Sequence, residues 1–371
     1  MELKDLETTC ERKEGVELLR IISMLMIIAI HILGKGGLFD ATQFGTWQNA
    51  LVVILRSFVI SSINCYVLIS GYFLVDKPFK CKRITRTILI VFEYSIILSI
   101  LCFSTKQASL TAGNVVYSLI PVPMQDTYWF ATQYVSLLVL SPFLNRLIAS
   151  LSKNQHKMLI VICFLLFSVI PSLTIIKKSF FSTGNDIIWF CVLYSIAAYI
   201  RKYGVPSKTV RTCVMILGWV LTIAIYYGIN GVSNILLGRV IDFATSFFSY
   251  NSPFVVMTSL GLFGLFLDIE IKNKFIRKNI NIIGKHTFGV YLWHNHFLFR
   301  EIIWALLVPA KWVDNNPLII FAFFVMSMVS IFVSGLIIDI VRSAIETLLL
   351  RGRKEAKVFI RIDEKMNKLL N

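Results

Sequence analysis

Glu17-Leu-Leu-Arg-Ile-Ile-Ser-Met-Leu-Met-Ile-Ile-Ala-Ile-His31 places a basic residue, Arg20, and an imidazole in an apolar run that is long enough to cross a bilayer. An α-helix turns through about three revolutions between Arg20 and His31, so the two share a face and stand about 16 Å apart along the axis. Glu17 falls close to the same face. A charged residue within a membrane span costs about 2.5 to 3.5 kcal/mol, so such residues usually face a polar cavity. This face is therefore predicted to line a functional site.

A purely structural interpretation of this stretch explains the spacing equally well. In that interpretation, Arg20 extends its side chain to the cytoplasmic interface, and His31 caps the far end of the helix just before Gly34. The spacing by itself does not decide between the two interpretations.

Composition predicts a membrane protein. The chain has 371 residues, of which 56% are hydrophobic and 16% charged, and its mean hydropathy is +0.73. Apolar runs of about 20 residues recur along the whole chain, which predicts an all-α polytopic transmembrane helical bundle in contact with membrane lipids. The formal net charge is +16, and the basic residues lie in short loops between spans, where they set the membrane topology. No nucleic acid is therefore expected as a partner. The seven cysteines form no Cys-x-x-Cys pair, and no metal site is expected.

Hydropathy predicts ten spans, with both termini cytoplasmic. The spans are 15–34, 50–75, 84–104, 128–149, 157–176, 186–202, 210–229, 252–268, 287–309 and 317–342. Basic residues gather in the segments predicted to be cytoplasmic, and the outer loops hold one or two each, which supports the orientation. Two longer outer segments, 105–127 and 230–251, are predicted to be lids or interfacial pieces. His156 and His286 are predicted to lie in cytoplasmic loops.

Two domains are predicted. Residues 1–345 form the membrane domain, and residues 346–371 form a basic amphipathic cytoplasmic tail on the anionic inner leaflet.

A second basic motif opens the third span, where Lys82-Arg83-Ile-Thr-Arg86 places two guanidinium groups one helical turn apart. Free backbone amides and the positive end of the helix dipole add to the two arginines, and this combination suits phosphates. Glu93 lies two turns further along the same face and is expected to pair with Arg86. In the competing interpretation of this motif, the two arginines only set the membrane topology.

Together these residues resemble the acyltransferase-3 family of integral membrane acyltransferases, which includes bacterial O-acetyltransferases of cell-surface polysaccharides. The family signature of an Arg, ten residues and a His is matched by Arg20 and His31, and its Arg-x-x-Arg by Arg83 and Arg86. The resemblance covers most of the chain. Further matches are Leu68-Ile-Ser-Gly-Tyr-Phe-Leu74, Tyr128-Trp-Phe130 and Gly289-Val-Tyr-Leu-Trp-His294.

The resemblance implies that a bacterial plasma-membrane enzyme transfers an acyl group, usually acetyl from acetyl-CoA, to a hydroxyl of a surface or lipid-linked carbohydrate. It also implies that Arg83 and Arg86 contact the nucleotide end of CoA. Alternate residues on a helix point about 200° apart, so only one of His294 and His296 can face His31, and the family position favours His294. The matched strings add four candidates for substrate or pore contacts, namely Ser70, Trp129, Tyr291 and His294.

Acyl transfer from a thioester to a hydroxyl needs a base, a site for the donor phosphates and donors for the oxyanion. His31 suits the role of base, because it lies near the negative end of its helix dipole, which makes the ring a better proton acceptor. Arg20 and Glu17 complete the predicted catalytic group. Arg20 has three candidate partners, namely Glu17, a donor phosphate or another carboxylate, and the sequence does not choose among them.

A transporter or flippase for lipid-linked sugars is the competing functional class. Ten spans with an intramembrane arginine and histidine also suit a substrate pathway, and Arg56 and Arg300 fit that hypothesis equally well. An acyltransferase should bind CoA from the cytoplasmic side, whereas a carrier has no need of it. A membrane-bound O-acyltransferase of the other large class also uses an intramembrane histidine, but it does not explain the spacing of Arg20 and His31.

Overall fold

The computed structural model describes residues 13–173, 184–349 and 357–370, and these ranges contain helices and turns but no strand. The all-α prediction is therefore confirmed for them. In chain order the helices are α1 (Glu14–Leu33), α2 (Trp47–Val59), α3 (Ser62–Leu74), α4 (Cys81–Ser104), α5 (Ala112–Leu119), α6 (Pro121–Met124), α7 (Trp129–Ser150), α8 (Lys153–Phe164), α9 (Ile170–Leu173), α10 (Ile187–Tyr203), α11 (Lys208–Leu237), α12 (Pro253–Phe266), α13 (Lys274–His294), α14 (Phe299–Leu307), α15 (Pro317–Leu349) and α16 (Lys357–Leu370).

Six helical stretches within the described residues are long and apolar enough to cross a membrane. Each of them overlaps one of the ten predicted spans, so the chain is a membrane protein. The remaining four spans and the orientation of the termini stay predictions. The six stretches are Glu14–Leu33, Trp47–Leu74, Cys81–Ser104, Lys153–Leu173, Lys208–Leu237 and Pro317–Leu349.

One end of the bundle collects the basic clusters, and we call it the basic end. Helices α1, α4 and α13 begin there, and α3, α10 and α15 end there. Ion pairs join these helix ends, with 3.3 Å between Arg277 and Glu14 and 3.4 Å between Arg201 and Asp76. The basic end corresponds to the side predicted to be cytoplasmic.

Helix α1 lies at the centre of the bundle, in contact with α2, α3, α12, α13 and α15. Its sequence is apolar around most of its circumference, which suits a buried helix. The first turn carries Glu14 and Glu17, and the last turn carries His31, so its charges complement the helix dipole. The stretch that the sequence singles out therefore forms the core of the fold.

The bounds of the ninth predicted span, 287–309, are wrong. Helix α13 begins at Lys274, and the chain leaves the helix after His294 before α14 begins at Phe299. Lysines and asparagines lower the hydropathy of the first half of α13, although the helix continues through them with one face packed on α1. The Asn295 side-chain amide donates to the Thr127 carbonyl oxygen and ties this break to the start of α7.

The prediction that His156 and His286 lie in loops is also wrong. His156 is fully buried on α8, where its Nε2 donates to the Ser195 carbonyl oxygen at 3.0 Å. His286 lies on α13, and its Nδ1 is 2.7 Å from the Asp339 carboxylate. Both helices extend beyond the apolar segments that hydropathy detects, which is why the sequence placed these residues outside them.

The two long outer segments, predicted to be lids or interfacial pieces, are largely helical. Segment 105–127 contains α5 and α6 and packs on α4, where the Ser95 hydroxyl donates to the Ser118 carbonyl oxygen at 2.8 Å. Segment 230–251 begins with the last two turns of α11, which ends at Leu237 because Gly238 adopts a left-handed conformation with φ of +64°.

The predicted tail, 346–371, begins within the last turn of α15. Residues 350–356 and 371 lie outside the described residues, and 357–370 form helix α16. Helix α16 contacts the start of α4, because the Asp363 carboxylate accepts from the Cys81 backbone amide at 2.6 Å and Asn367 exchanges hydrogen bonds with Phe79. The tail is thus attached at the basic end.

Candidate active site

Two histidines from distant parts of the chain meet near the end of the bundle opposite the basic end. The Nδ1 atom of His31, in the last turn of α1, lies 2.9 Å from Nε2 of His294, the last residue of α13. His294 is fully buried, whereas His31 is half-buried. The prediction that His294 rather than His296 faces His31 is confirmed.

The hydrogen bonds of His294 define the proton positions in this pair. Its Nδ1 lies 2.6 Å from the Val290 carbonyl oxygen, which can only accept, so Nδ1 carries a proton and donates it. In neutral His294 the Nε2 atom is then an acceptor, and His31 must donate to it from Nδ1. The Nε2 atom of neutral His31 consequently keeps a free lone pair.

His296, which does not face His31, is bound by protein groups on both ring nitrogens. It is fully buried, and its Nδ1 accepts from the backbone amides of Leu298 and Phe299 at 3.3 Å each. Its Nε2 lies 3.2 Å from the Ser95 carbonyl oxygen and 3.2 Å from the Ser99 hydroxyl. The ring thereby holds the chain between α13 and α14 against α4.

The two helices that carry the histidine pair run parallel and approach closely near the basic end. A Cβ atom on Gly284 of α13 would lie 2.5 Å from a carboxylate oxygen of Glu17 on α1. Glycine at this position therefore lets the helices pack without a clash. Both then extend away from the basic end, which brings His31 and His294 together.

A passage lies between these helices and α3 and α7, on the basic-end side of the histidines. It consists of two adjoining cavities of about 220 and 300 Å³, and we call it the inner passage. The two cavities share four lining residues, namely Glu17, Arg20, Ser70 and Tyr134. Lys77 and Arg83 line the cavity nearer the basic end, and Lys285 lines the deeper one. The passage thus combines an acidic residue with four cations.

Arg20 and Glu17 form an ion pair within the inner passage. Nη2 and Nε of Arg20 are each 3.3 Å from a carboxylate oxygen of Glu17. The buried Nε–H lies beside this carboxylate without forming a well-aligned hydrogen bond to any described residue. The rise of an α-helix places Arg20 about 16 Å below His31 along α1. These two predicted catalytic residues therefore line the passage and lie far from the histidine pair.

The two arginines of the Arg-x-x-Arg motif face different surroundings. Arg83 lines the inner passage, whereas Arg86 points to α15, where its Nε lies 3.8 Å from a Glu346 carboxylate oxygen. The expected pairing of Arg86 with Glu93 is wrong, because Glu93 binds Arg342 at 2.8 Å. Positions three apart on a helix differ by about 60° in direction, and this difference separates the two side chains.

A layer of aromatic rings separates the inner passage from the histidine pair. Phe130 and Phe288 line the deep end of the passage, and both contact Tyr291, with ring centroids 5.7 and 6.1 Å from it. Tyr291 in turn lies 6.3 Å from the ring of His294 and donates to the Thr127 carbonyl oxygen at 3.0 Å. The predicted candidate Tyr291 is therefore the residue between the passage and the histidine pair.

The other two predicted contact residues lie in different surroundings. The Ser70 hydroxyl donates to the Tyr66 carbonyl oxygen at 3.0 Å, and Ser70 lines both cavities of the inner passage. Trp129 is half-buried and stacks on Tyr250, with ring centroids 5.8 Å apart. Ser70 thus belongs to the passage, and Trp129 to an aromatic cluster beside it.

A buried ionic cluster that the predicted site does not include joins α4, α13 and α15. Asp339 is 3% exposed and accepts from the Tyr94 hydroxyl at 3.0 Å and from Arg342 Nε at 2.8 Å, and it also binds His286. Arg342 also binds Glu346, at 3.0 Å. The available signal was Asp339 itself, an acidic residue in an otherwise apolar span.

The two arginines that the transport hypothesis invoked both have local partners. The guanidinium carbon of Arg56 lies 4.2 and 4.9 Å from the ring centroids of Phe39 and Phe248, within the range of cation–π contacts. Arg300 binds Glu301 at 2.9 Å. Their positions are therefore explained without a substrate pathway.

Comparison with known proteins identifies the family. No curated protein and no solved structure matches the chain. The model of one protein family, described as an acyltransferase domain, matches residues 13–336, which is most of the 371 residues. The matched range includes the histidine pair and the inner passage. The chain therefore belongs to the acyltransferase-3 family of integral membrane acyltransferases.

Proposed function

We propose that this membrane acyltransferase moves an acyl group, with acetyl as the expected group, from acyl-CoA to a hydroxyl of a cell-surface or lipid-linked carbohydrate. His31 is the general base, and the enzyme acts in the bacterial plasma membrane. The observation that carries the proposal is the His31–His294 pair, because its hydrogen bonds leave the His31 Nε2 lone pair free on the half-buried ring.

The chemical step uses this lone pair. Nε2 of His31 accepts the proton of the acceptor hydroxyl while the hydroxyl oxygen forms a bond to the thioester carbonyl carbon. The carbon–sulfur bond then breaks, and the imidazolium returns the proton to the leaving thiolate, so the products are an ester and free CoA. His294 remains neutral and positions His31, since its Nε2 accepts the hydrogen bond from His31 Nδ1–H throughout.

The inner passage suits the donor. CoA carries several phosphates, and charge-assisted hydrogen bonds to arginine and lysine are the usual means of binding them. Lys77 and Arg83 stand at the basic end, and Arg20 stands deeper, beside Glu17. We assign Arg20 to donor binding and Glu17 to holding its guanidinium. Neither residue is close enough to His31 to share its role as base.

The geometry also suggests from which side each substrate enters. His31 lies about 26 Å along α1 from the start of the helix, in a hydrocarbon layer of about 30 Å. Phosphates bound at the basic end would be separated from His31 by most of the membrane. The extended pantetheine arm would have to bridge this distance and displace the ring of Tyr291. We therefore propose transfer through the membrane, with acyl-CoA entering from the cytoplasm and the carbohydrate from outside.

Analysis of surface glycans tests the reaction. Cells lacking the gene are complemented with wild type, with His31→Ala, or with no insert, and ester-linked acetate is released from the surface polysaccharide by mild alkali. Wild type should restore an ester that His31→Ala does not, although both are inserted in the membrane at equal amounts. Equal ester content in all three strains, with no acetyl-CoA binding to the purified chain, would instead favour the carrier hypothesis.

Sealed, oriented vesicles test the direction. Acetyl-CoA is supplied on the cytoplasmic side, and a membrane-impermeant acceptor glycan from the same cells is placed on one side at a time. Product should form with the acceptor outside. Product formed only with the acceptor on the cytoplasmic side would overturn the through-membrane route, although not the acyltransferase activity.

A further inference from the structure

An apolar groove runs between α4 and α15, on a side of the bundle away from the inner passage. Its volume is about 400 Å³. Tyr94, Ile97 and Leu98 line it from α4, and Val341, Ile345 and Leu349 from α15. The polar residues along it are Glu93, Arg342 and Glu346, which bind one another. The groove therefore presents a predominantly aliphatic surface to any occupant.

The groove opens toward the membrane. The side chains along its rim are exposed although they are apolar, with Ile97 57%, Val341 52%, Ile345 51% and Leu349 70% exposed. Both α4 and α15 are long and apolar enough to cross the bilayer. Apolar side chains exposed on membrane-spanning helices face lipid, because no other apolar solvent is present. An acyl chain of the bilayer has the shape and polarity to fill this space.

A cation stands where the groove reaches the basic end. Arg86 is 59% exposed, and among the described residues its only ion pair is the long contact, 3.8 Å, to Glu346, which lines the groove. Glu346 is itself engaged by Arg342 at 3.0 Å. Most of the hydrogen-bond donors of the Arg86 guanidinium therefore remain for an anion.

Arg86 lies near the basic end of α4, where a long side chain can extend to the lipid phosphates. Arg86 lies five positions into α4 from Cys81, which is about 8 Å of helix rise. Cys81 is bound by Asp363 of α16, a helix rich in charged residues that suits the membrane surface. Arg86 thus stands just below the surface helix, with the apolar groove extending from it into the hydrocarbon layer.

We propose that this groove binds an anionic phospholipid, with one acyl chain along α4 and α15 and the phosphate on Arg86. The exposed guanidinium of Arg86 at the end of the groove and the aliphatic lining identify the occupant. The site assigns the second arginine of the Arg-x-x-Arg motif to lipid, whereas Arg83 faces the inner passage. It is independent of the proposed acyl transfer.

Native mass spectrometry of the purified full chain tests the site. Phosphatidylglycerol and phosphatidylcholine with identical acyl chains are titrated separately, and the fraction of protein retaining one lipid is measured. Wild type should retain phosphatidylglycerol preferentially. Arg86→Gln should weaken phosphatidylglycerol binding about five-fold, equivalent to about 1 kcal/mol for one basic residue at the membrane surface, and leave phosphatidylcholine unchanged. Arg86→Lys should keep the preference.

Matched variants separate the groove from general effects of charge and bulk. Arg83→Gln removes the same charge one turn away and should leave lipid binding unchanged. Ile345→Trp fills the groove and should weaken binding of both lipids, whereas Ile340→Trp, at an exposed apolar position outside the groove lining, should not. Equal losses for Arg83→Gln and Arg86→Gln, no effect of Ile345→Trp, or displacement of phosphatidylglycerol by acetyl-CoA would overturn the proposal. No acyl transfer is measured, so these outcomes leave the proposed function unaffected.

Discussion

Replacing His294 with glutamine or with leucine distinguishes the base from the residue that positions it. In the structure His294 Nε2 accepts a hydrogen bond of 2.9 Å from His31 Nδ1. A glutamine side chain can present its amide oxygen as an acceptor at a similar position, whereas leucine has a comparable volume and no acceptor. If His31 is the base, glutamine should preserve much of the activity and leucine should not.

The expected magnitudes follow from the buried hydrogen bond. Leaving a buried donor unsatisfied costs about 1 to 3 kcal/mol, which corresponds to about a 5- to 150-fold loss of rate if it is incurred in the transition state. His294→Leu should show a loss in this range, and His294→Gln a smaller one. His31→Gln removes the base itself and should cost about 10² to 10⁴ in rate.

The assay is transfer of labelled acetyl from acetyl-CoA to acceptor glycan by the purified, reconstituted variants at matched protein amounts. Melting temperature in detergent serves as the control, because His294 is fully buried and also donates to Val290 at 2.6 Å. Equal inactivity of the two His294 variants, with His31→Gln active within a few-fold of wild type, would refute the assignment and make His294 the base.

Two further predictions concern the donor site and the packing of α13. Arg83→Gln should raise the KM for acetyl-CoA more than it lowers kcat, because phosphate contacts far from the thioester act in the ground state and transition state alike. Arg86→Gln should change this KM less. Equal increases in KM for the two variants, measured by steady-state kinetics, would contradict the different roles of the two arginines. Gly289→Ala should destabilise the protein by about 1 to 3 kcal/mol, since its Cβ would lie 2.2 Å from the Asp339 carboxylate. Gly228→Ala, where a Cβ meets nothing within 4 Å, should be neutral or slightly stabilising, and equal melting temperatures for the two variants would contradict this reasoning.

The sequence alone determined the class of protein and the first functional face. Apolar runs of membrane-spanning length require helices in lipid, because backbone groups there must be satisfied within the segment. Helical periodicity is a local property, so the common face of Arg20 and His31 follows from their spacing. The matched family strings also identified His294 as the residue that faces His31, which the 2.9 Å contact confirms.

Only the tertiary structure decided which residues share an environment. His31 and His294 are 263 positions apart, and the tautomer that leaves Nε2 free depends on the Val290 carbonyl oxygen, which no sequence pattern reveals. Asp339 and Arg86 illustrate the same limit, because Asp339 binds His286 of α13 and Arg86 contacts Glu346 of α15.

Hydropathy did not detect the first half of α13 as part of a helix, for a related physical reason. An amphipathic helix that buries one face against α1 does not need the uniform apolarity that the method detects. The start of this helix at Lys274, and with it the position of His286, could therefore be established only from the packing.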